Sequence, residues 1–383
     1  MKPRVCFVVD SGTDVRLADG LAERASLRIL ARSLSSGREI NQPSTRELDV
    51  EIGPSSHAAF ALFVFRRLFA RRREIDVVIV QGYGPAAASA NLAGRLTGLA
   101  VLMLVCSPIE AYYRCRLITG LRPFRRSEYW AIRVFSKLNA WIGSGYVVLS
   151  PYLASVIRSH GGTRSIDVIP VYGVDGAIFR PSDEPKGSLR ARLCLPDDAP
   201  IVFFSSRVAP EKDVVTVLRA VGVLSAAGQR VRLLHLSGGY QELIKLAREI
   251  GVEEHVIAGD AVAPFGTLAD HYRASDVCVQ SSREEGLGFS PLEAMACGVP
   301  VVATAVGGLN DTLYAGQTGW PVPVGDAAAL AAAISEILND PAEAARRTQA
   351  GAQRVELMYE RKVVFDALER RLARTGPRPA RPL

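Results

Sequence analysis

The chain has little histidine, methionine or tryptophan, with five, four and three of each in 383 residues, and its six cysteines show no C-x-x-C spacing. Cys6, Cys106, Cys115, Cys194, Cys278 and Cys297 are scattered through the chain, which excludes a zinc ribbon or a disulfide scaffold. They read as reduced core thiols of a cytosolic protein. There is no D-x-D run and no His/carboxylate cluster in the loops where one would hold a metal, so no metal site is expected. No apolar run approaches the roughly 20 residues that a membrane span needs. The opening PRVCFVV (3–9) is short and passes straight into a loop, as a first strand does and a secretory signal does not.

What is present is a chain 48% hydrophobic and 22% charged, long enough for two domains of about 150–200 residues each. Strand-like and helix-like segments alternate throughout, the pattern of doubly wound parallel sheets. Strands are predicted at 4–9, 26–31, 76–81, 100–106, 146–150 and 166–171, with helices near 57–73, 85–97, 129–142 and 151–159. The pattern starts again with strands at 201–206, 231–237, 255–258, 277–281 and 299–303. PSDEPKGSLRARLCLPDDAP (181–200), rich in proline and charge, reads as a connector with one helical turn. The organisation expected is an N-terminal domain over 1–175, a linker over 176–199, a C-terminal domain over 200–358, a terminal helix over 359–374 and a disordered tail over 375–383.

The densest chemistry lies in REEGLGFSPLEAMACGVPVVAT (283–304), between the strands predicted from SDVCVQSS and VPVVAT. Such a stretch is the crossover of a parallel βαβ unit, with its loop at the carboxyl edge of the sheet. Gly286 and Gly288 let the backbone come close to a ligand. The helix is predicted to start with Ser290 as N-cap and Pro291 in its first turn, and to end at Gly298. Its amino-terminal N–H groups suit a pyrophosphate. Glu293 has a second explanation, since Ser290 to Glu293 is also an ordinary capping box. Glu285 has no capping duty and would repel a phosphate, so it calls for a neutral partner such as sugar hydroxyls. A sugar nucleotide supplies both parts.

Glu285 and Glu293, separated by seven residues, resemble the E-x7-E signature of retaining glycosyltransferases of family 4, which have the GT-B fold. Arg207 and Lys212 in SSRVAPEKD (205–213) resemble the family's G-R-L-x-x-x-K-G segment, with Ser206 and Asp213 in place of its glycines. SGG (237–239), VIAGD (256–260) and IPVYGVDGAIFRP (169–181) resemble three further family segments in the family's order. The resemblance implies two Rossmann-like domains facing a central cleft, with the donor on the C-terminal half and the acceptor on the N-terminal half. It implies a hexosyl transfer from a UDP-sugar or GDP-sugar that needs no cofactor or divalent cation and retains the anomeric configuration. Arg207, Lys212 and Glu285 are then the catalytic candidates. Gly12, Gly259, Gly286, Leu287, Gly288, Phe289, Ser290 and Glu293 are the donor-binding ones. Gly12 is equally read as part of a plain strand–helix turn. A histidine found in many relatives after the fourth strand is replaced here by Cys106-Ser107-Pro108, and His160 reads as a helix C-cap. Base choice is expected to depend on Ile257–Asp260 and Val262–Phe265. The segment 360–374 resembles the family's terminal helix, which returns to the first domain.

Charge separates the halves: residues 1–180 hold 24 Lys/Arg against 14 Asp/Glu, net +10, and 181–383 hold 22 against 25, net −3. FVFRRLFARRR (63–73) and RPFRRSEYWAIRVFSKLNAW (122–141) interleave basic and aromatic residues, as helices on an anionic membrane surface do. A buried crossover helix with a solvated basic end is the other reading of 57–69. No nucleic-acid motif accompanies the charge. The partners expected are a nucleoside-diphosphate sugar, a glycan or lipid-linked acceptor of polysaccharide, lipopolysaccharide or glycolipid synthesis, and the inner face of the cell membrane. Two other functions fit the same residues: a GT-B-fold UDP-sugar epimerase and a catalytically silent partner subunit.

Overall fold

The computed structural model describes residues 2–34, 40, 44, 46–119, 126–260 and 265–375. Residues 122–125 of the basic segment, 262–264 of the base-reading stretch and the tail from 376 lie outside the described residues. Two compact units emerge: Met1–Arg114, Phe124–Gly173 and Arg361–Leu383 form the first, and Cys115–Pro123 with Val174–Glu360 form the second.

The elements of the first run β1 (Arg4–Val9), α1 (Val15–Arg24), β2 (Ser26–Arg32), β3 (Asp49–Gly53), α2 (His57–Ala70), β4 (Val77–Gln81), α3 (Pro85–Thr97), β5 (Ala100–Val105), α4 (Ile109–Thr119, grouped with the second unit from Cys115), α5 (Arg126–Ile142), β6 (Tyr146–Val148), α6 (Pro151–Ser159) and β7 (Ile166–Val168). All seven strands are parallel, in the order β3-β2-β1-β4-β5-β6-β7. Val5–Val9, Val77–Val80 and Val101–Val105 are buried, because a parallel sheet covered by helices on both faces needs continuous apolar strands. Direction reverses between β1 and β4, and the loops after the two strands diverge there to leave a crevice.

The second unit runs α7 (Lys186–Arg192), β8 (Ile201–Phe203), α8 (Val214–Ala226), β9 (Arg232–Leu236), α9 (Tyr240–Ile250), β10 (Val256–Gly259), α10 (Phe265–Ala274), β11 (Val277–Gln280), α11 (Phe289–Ala296), β12 (Val301–Thr304), α12 (Leu309–Leu313), β13 (Trp320–Val322), α13 (Ala327–Asn339) and α14 (Pro341–Met358). Its six parallel strands follow β10-β9-β8-β11-β12-β13, so the order reverses between β8 and β11. Val202, Val217, Leu233, Val279, Val302 and Ile334 belong to one buried cluster that joins α8 and α13 to the sheet.

The sequence reading missed β3, α1, α4 and β13. Both strands lie at sheet edges, where Asp49 and Glu51 in one and Pro321 in the other break the apolar strand pattern. The final helix, α15 (Arg361–Thr375), packs on α1 of the first unit. Gly20 makes room for it: a Cβ there would sit 2.0 Å from Phe365 Cζ. Phe365 is 1% exposed, so Phe365→Ala should destabilise the first unit by about 3–5 kcal/mol, measured by urea unfolding.

Candidate functional site

Strands β8 and β11 run side by side, Val202 opposite Val277 and Phe203 opposite Cys278, so the loops that follow them leave the sheet together. This adjacency brings Lys212 to Glu285 across 73 residues of sequence. The Lys212 ammonium donates to Glu285 Oε2 in an ion pair between two side chains that are largely buried. The same carboxylate accepts from Ser282 Oγ at 3.1 Å and Gln280 Nε2 at 3.4 Å, and its other oxygen from the Gly286 N–H at 3.2 Å. Gln280 is itself fixed, with Ser206 Oγ donating to its Oε1 at 2.8 Å. Ser206, which departs from the glycine of the family pattern, thus orients the amide that faces Glu285.

Arg207 is more exposed and reaches Glu211 at 2.9 Å. Glu211 is fully buried and also takes Arg116 at 3.1 Å, from the segment that groups with this unit. Burial alone would raise the Glu211 pKa, but the hydrogen bond from Arg116 and the two guanidinium charges hold it below the ordinary value. Its carboxylate is therefore charged where Arg207 needs a partner.

Gly288, not Ser290, is the N-cap of α11. It lies at φ +93°, where a Cβ would meet Leu309 Cδ2 at 2.5 Å, so close packing on α12 fixes the helix start and leaves Ser290 and Pro291 in the second and third positions. The end is as expected: Gly298 adopts φ +73°, and Val299 N–H returns to Ala294 carbonyl at 3.0 Å. Glu293 has a role beyond its own helix, since it is buried and its Oε2 accepts from Tyr272 Oη at 3.2 Å. Tyr272 Oη also meets Ser205 Oγ at 2.8 Å. Burial first, and the Glu293 charge next, push the Tyr272 pKa far up, so the phenol remains a neutral donor. Leu287 is buried, with its carbonyl accepting from Thr312 Oγ1 at 2.9 Å. Phe289 opens α11, and Gly259 closes β10 one strand beyond β9.

The second unit therefore gathers Arg207, Lys212, Glu285, Gly286 and Gly288 on the loops after β8 and β11, with Glu293 on the helix that follows. Gly12 belongs to the first unit, at φ +84° between β1 and α1. That unit has its own cavity of about 630 Å³, walled by residues after β1, β4 and β5 and by α5. Asp10 holds His57 Nδ1 at 3.1 Å and Arg32 Nε at 2.7 Å on its rim. Gln81 and Tyr83 line it, and Gln81 Oε1 and Tyr83 Oη are buried with no hydrogen-bond partner among the described residues. His160 caps α6 as expected, and its Nε2 also meets Glu110 at 3.0 Å. Neither His57 nor Tyr272 carries a local sequence signal: one begins an unremarkable helix, and the other lies 21 residues before its carboxylate partner.

Residues 186–354 match the family model for glycosyl transferases group 1. D-inositol 3-phosphate glycosyltransferase 1 of Catenulispora acidiphila is 39% identical over 181 residues, 44% of this chain and 43% of that protein. The GDP-mannose-dependent alpha-(1-6)-phosphatidylinositol monomannoside mannosyltransferase of Mycolicibacterium smegmatis is 34% identical over 200 residues, 50% of this chain and 52% of that protein. The chain thus spans about half the length of the curated relatives it matches. Anabaena HepE, in a crystal structure with UDP-glucose, superposes with a TM-score of 0.76 at 18% identity over 97% of this chain and 98% of that one. The two Rossmann-like, parallel-sheet domains are those of the GT-B fold.

Asp213 occupies the second glycine position of the family segment and adopts φ +49°, ψ 51°. Its Oδ2 accepts from Thr216 Oγ1 at 2.8 Å and pairs with Arg283 at 2.8 Å, which holds the left-handed backbone in place. Asp213→Ala loses these contacts and keeps the steric cost of about 1–2 kcal/mol that glycine escapes. Chemical denaturation should therefore find Asp213→Gly more stable than Asp213→Ala by about 1 kcal/mol.

Proposed function

We infer that this chain is a retaining, metal-independent glycosyltransferase that moves a hexosyl group from a UDP-sugar or GDP-sugar to a glycan or lipid-linked acceptor. The observation that carries the reading is a buried Lys212–Glu285 ion pair, on the loops that leave β8 and β11 at the point where strand order reverses, beside the buried pair of Glu293 on α11 with Tyr272 on α10. Open parallel sheets bind nucleotides at such points. The match to the glycosyl transferases group 1 model over 186–354 supports the same assignment.

In this account Glu293, oriented by Tyr272, accepts the ribose hydroxyls, and Glu285 accepts hydroxyls of the transferred sugar. The Gly286 to Ser290 backbone lies against sugar and diphosphate. As the bond from the anomeric carbon to the β-phosphate oxygen breaks, negative charge grows on that phosphate, and Arg207 and Lys212 stabilise it. The acceptor oxygen bonds to the anomeric carbon on the face the phosphate leaves. Its proton passes to the departing phosphate oxygen, giving the glycoside and a nucleoside diphosphate. Lys212 serves both parts, since it also fixes Glu285. The acceptor is assigned to the first unit's cavity, which Gln81 and Tyr83 line and on whose rim Asp10 holds His57. The protein works in the cytoplasm, peripherally on the inner face of the cell membrane, and contributes to polysaccharide, lipopolysaccharide or glycolipid synthesis.

Slow hydrolysis of the correct donor to its nucleoside diphosphate should proceed in the presence of EDTA. Lys212→Ala or Arg207→Ala should lower kcat/KM by about 10²–10³, and more through kcat than KM, because each cation acts on charge that appears in the transition state. Altered sugar without nucleoside diphosphate release would indicate an epimerase. No turnover with any donor would indicate a silent subunit.

A further inference from the structure

Eight of the sixteen large apolar side chains exposed among the described residues lie on three helices, α2, α3 and α5, that pack side by side on the first sheet. On α5, Trp130, Val134, Leu138 and Trp141 are 58%, 60%, 38% and 70% exposed. At 100° per residue they fall on one stripe. Leu92 and Leu96, one turn apart on α3, extend it, and Arg95 between them lies with its guanidinium 5.8 Å from the Trp141 ring centroid. The neighbouring face of α5 is not idle, for Ala131, Ile132 and Phe135 line the 630 Å³ cavity. One helix therefore has an apolar stripe in solvent and a wall of the acceptor cavity.

Charge selects among occupants. Arg126, Arg133 and Lys137 follow one edge of the stripe, Arg95 crosses it, and Glu128 is the single acid on α5. Tryptophan beside basic side chains is the composition of a surface seated at the headgroup level of a bilayer. A second copy of this face would bring its cations against their like. We propose that the α3–α5 face docks on an anionic lipid bilayer, with Trp130 and Trp141 entering the headgroup region and the flanking cations meeting lipid phosphates. The proposal deepens the acceptor assignment above: an acceptor carried by a lipid enters the cavity beside α5 from the membrane on which α5 rests.

The tryptophan count makes the test direct. Of the three tryptophans, only Trp320 lies elsewhere, 3% exposed in the second unit with Arg347 4.4 Å from its ring centroid. The full chain is mixed with vesicles of phosphatidylcholine alone or with phosphatidylglycerol, with and without brominated acyl chains, at low and high salt. Flotation with the phosphatidylglycerol vesicles, bromine quenching of tryptophan emission and loss of both at high salt are expected. The Trp130→Ser/Trp141→Ser protein should partition about tenfold less, while Trp141→Phe keeps most of the binding. Melting temperature and sedimentation of each variant show that it is folded and whether it self-associates. Absence of flotation, equal flotation of the doubly substituted protein, or a dimer in the intact protein that the double substitution dissolves would each overturn the proposal. None of these readings uses a nucleotide, so failure of the transferase assignment would show separately, as absence of donor turnover.

Discussion

A buried carboxylate dictates the local structure of the second unit's site. Glu285 is 8% exposed, and an ionised side chain in such a place is tolerated only with a counter-charge and donors for its remaining lone pairs. Lys212 supplies the first, and Ser282, Gln280 and the Gly286 N–H supply the rest. Each donor adds a constraint. Lys212 has to close a short helical turn capped by the left-handed Asp213, and Gln280 has to be turned by Ser206. Removal of Lys212 would leave an uncompensated buried charge, so this residue serves the fold of the loop as well as the chemistry assigned to it.

The sheets set the larger frame. In both units the strand order reverses beside the first strand, and in both the side chains with chemical potential lie on the loops around that reversal. In the second unit these are ionic and held against one another; in the first they are Asp10 and His57 on the rim of a partly apolar cavity. The contrast suits one unit for a charged, hydroxyl-rich nucleotide sugar and the other for an acceptor with an apolar portion. If the proposed docking holds, the exposed stripe on α5 extends that division of labour to the membrane.

Much of this was legible in the sequence because parallel sheets write themselves as apolar runs. PRVCFVV, DVVIV and AVLMLV needed only their length and flanks, and Gly286, Gly288 and Glu285 stood out as glycines and an unexplained acid in a crossover loop. What stayed hidden depended on partners distant in the chain. Ser290 looked like a helix cap, but contact of Gly288 with Leu309 moved the helix start upstream. Glu293 looked like the other half of a capping box, and its bond to Tyr272, from another helix, could not be read from the local sequence. The short edge strand with Pro321 and the charged one with Glu51 lacked the apolar pattern that marks inner strands. The basic segment at 122–141 was visible as composition, while its stripe of exposed tryptophans appears only once the helix has chosen which side to bury.

The central claim is that Glu293, set by Tyr272, holds the ribose of a nucleoside diphosphate. A thermal-shift panel of UDP, GDP and ADP, with the matching sugar conjugates, on the intact protein and on Glu293→Ala tests it most directly. At a hundred times the dissociation constant a ligand stabilises by about 2.7 kcal/mol, which is readily seen as a rise in Tm. The account predicts a rise with UDP or GDP and its conjugates that is selective for one base and weakened by the substitution. No rise with any nucleotide, or a rise that Glu293→Ala leaves unchanged, would contradict it.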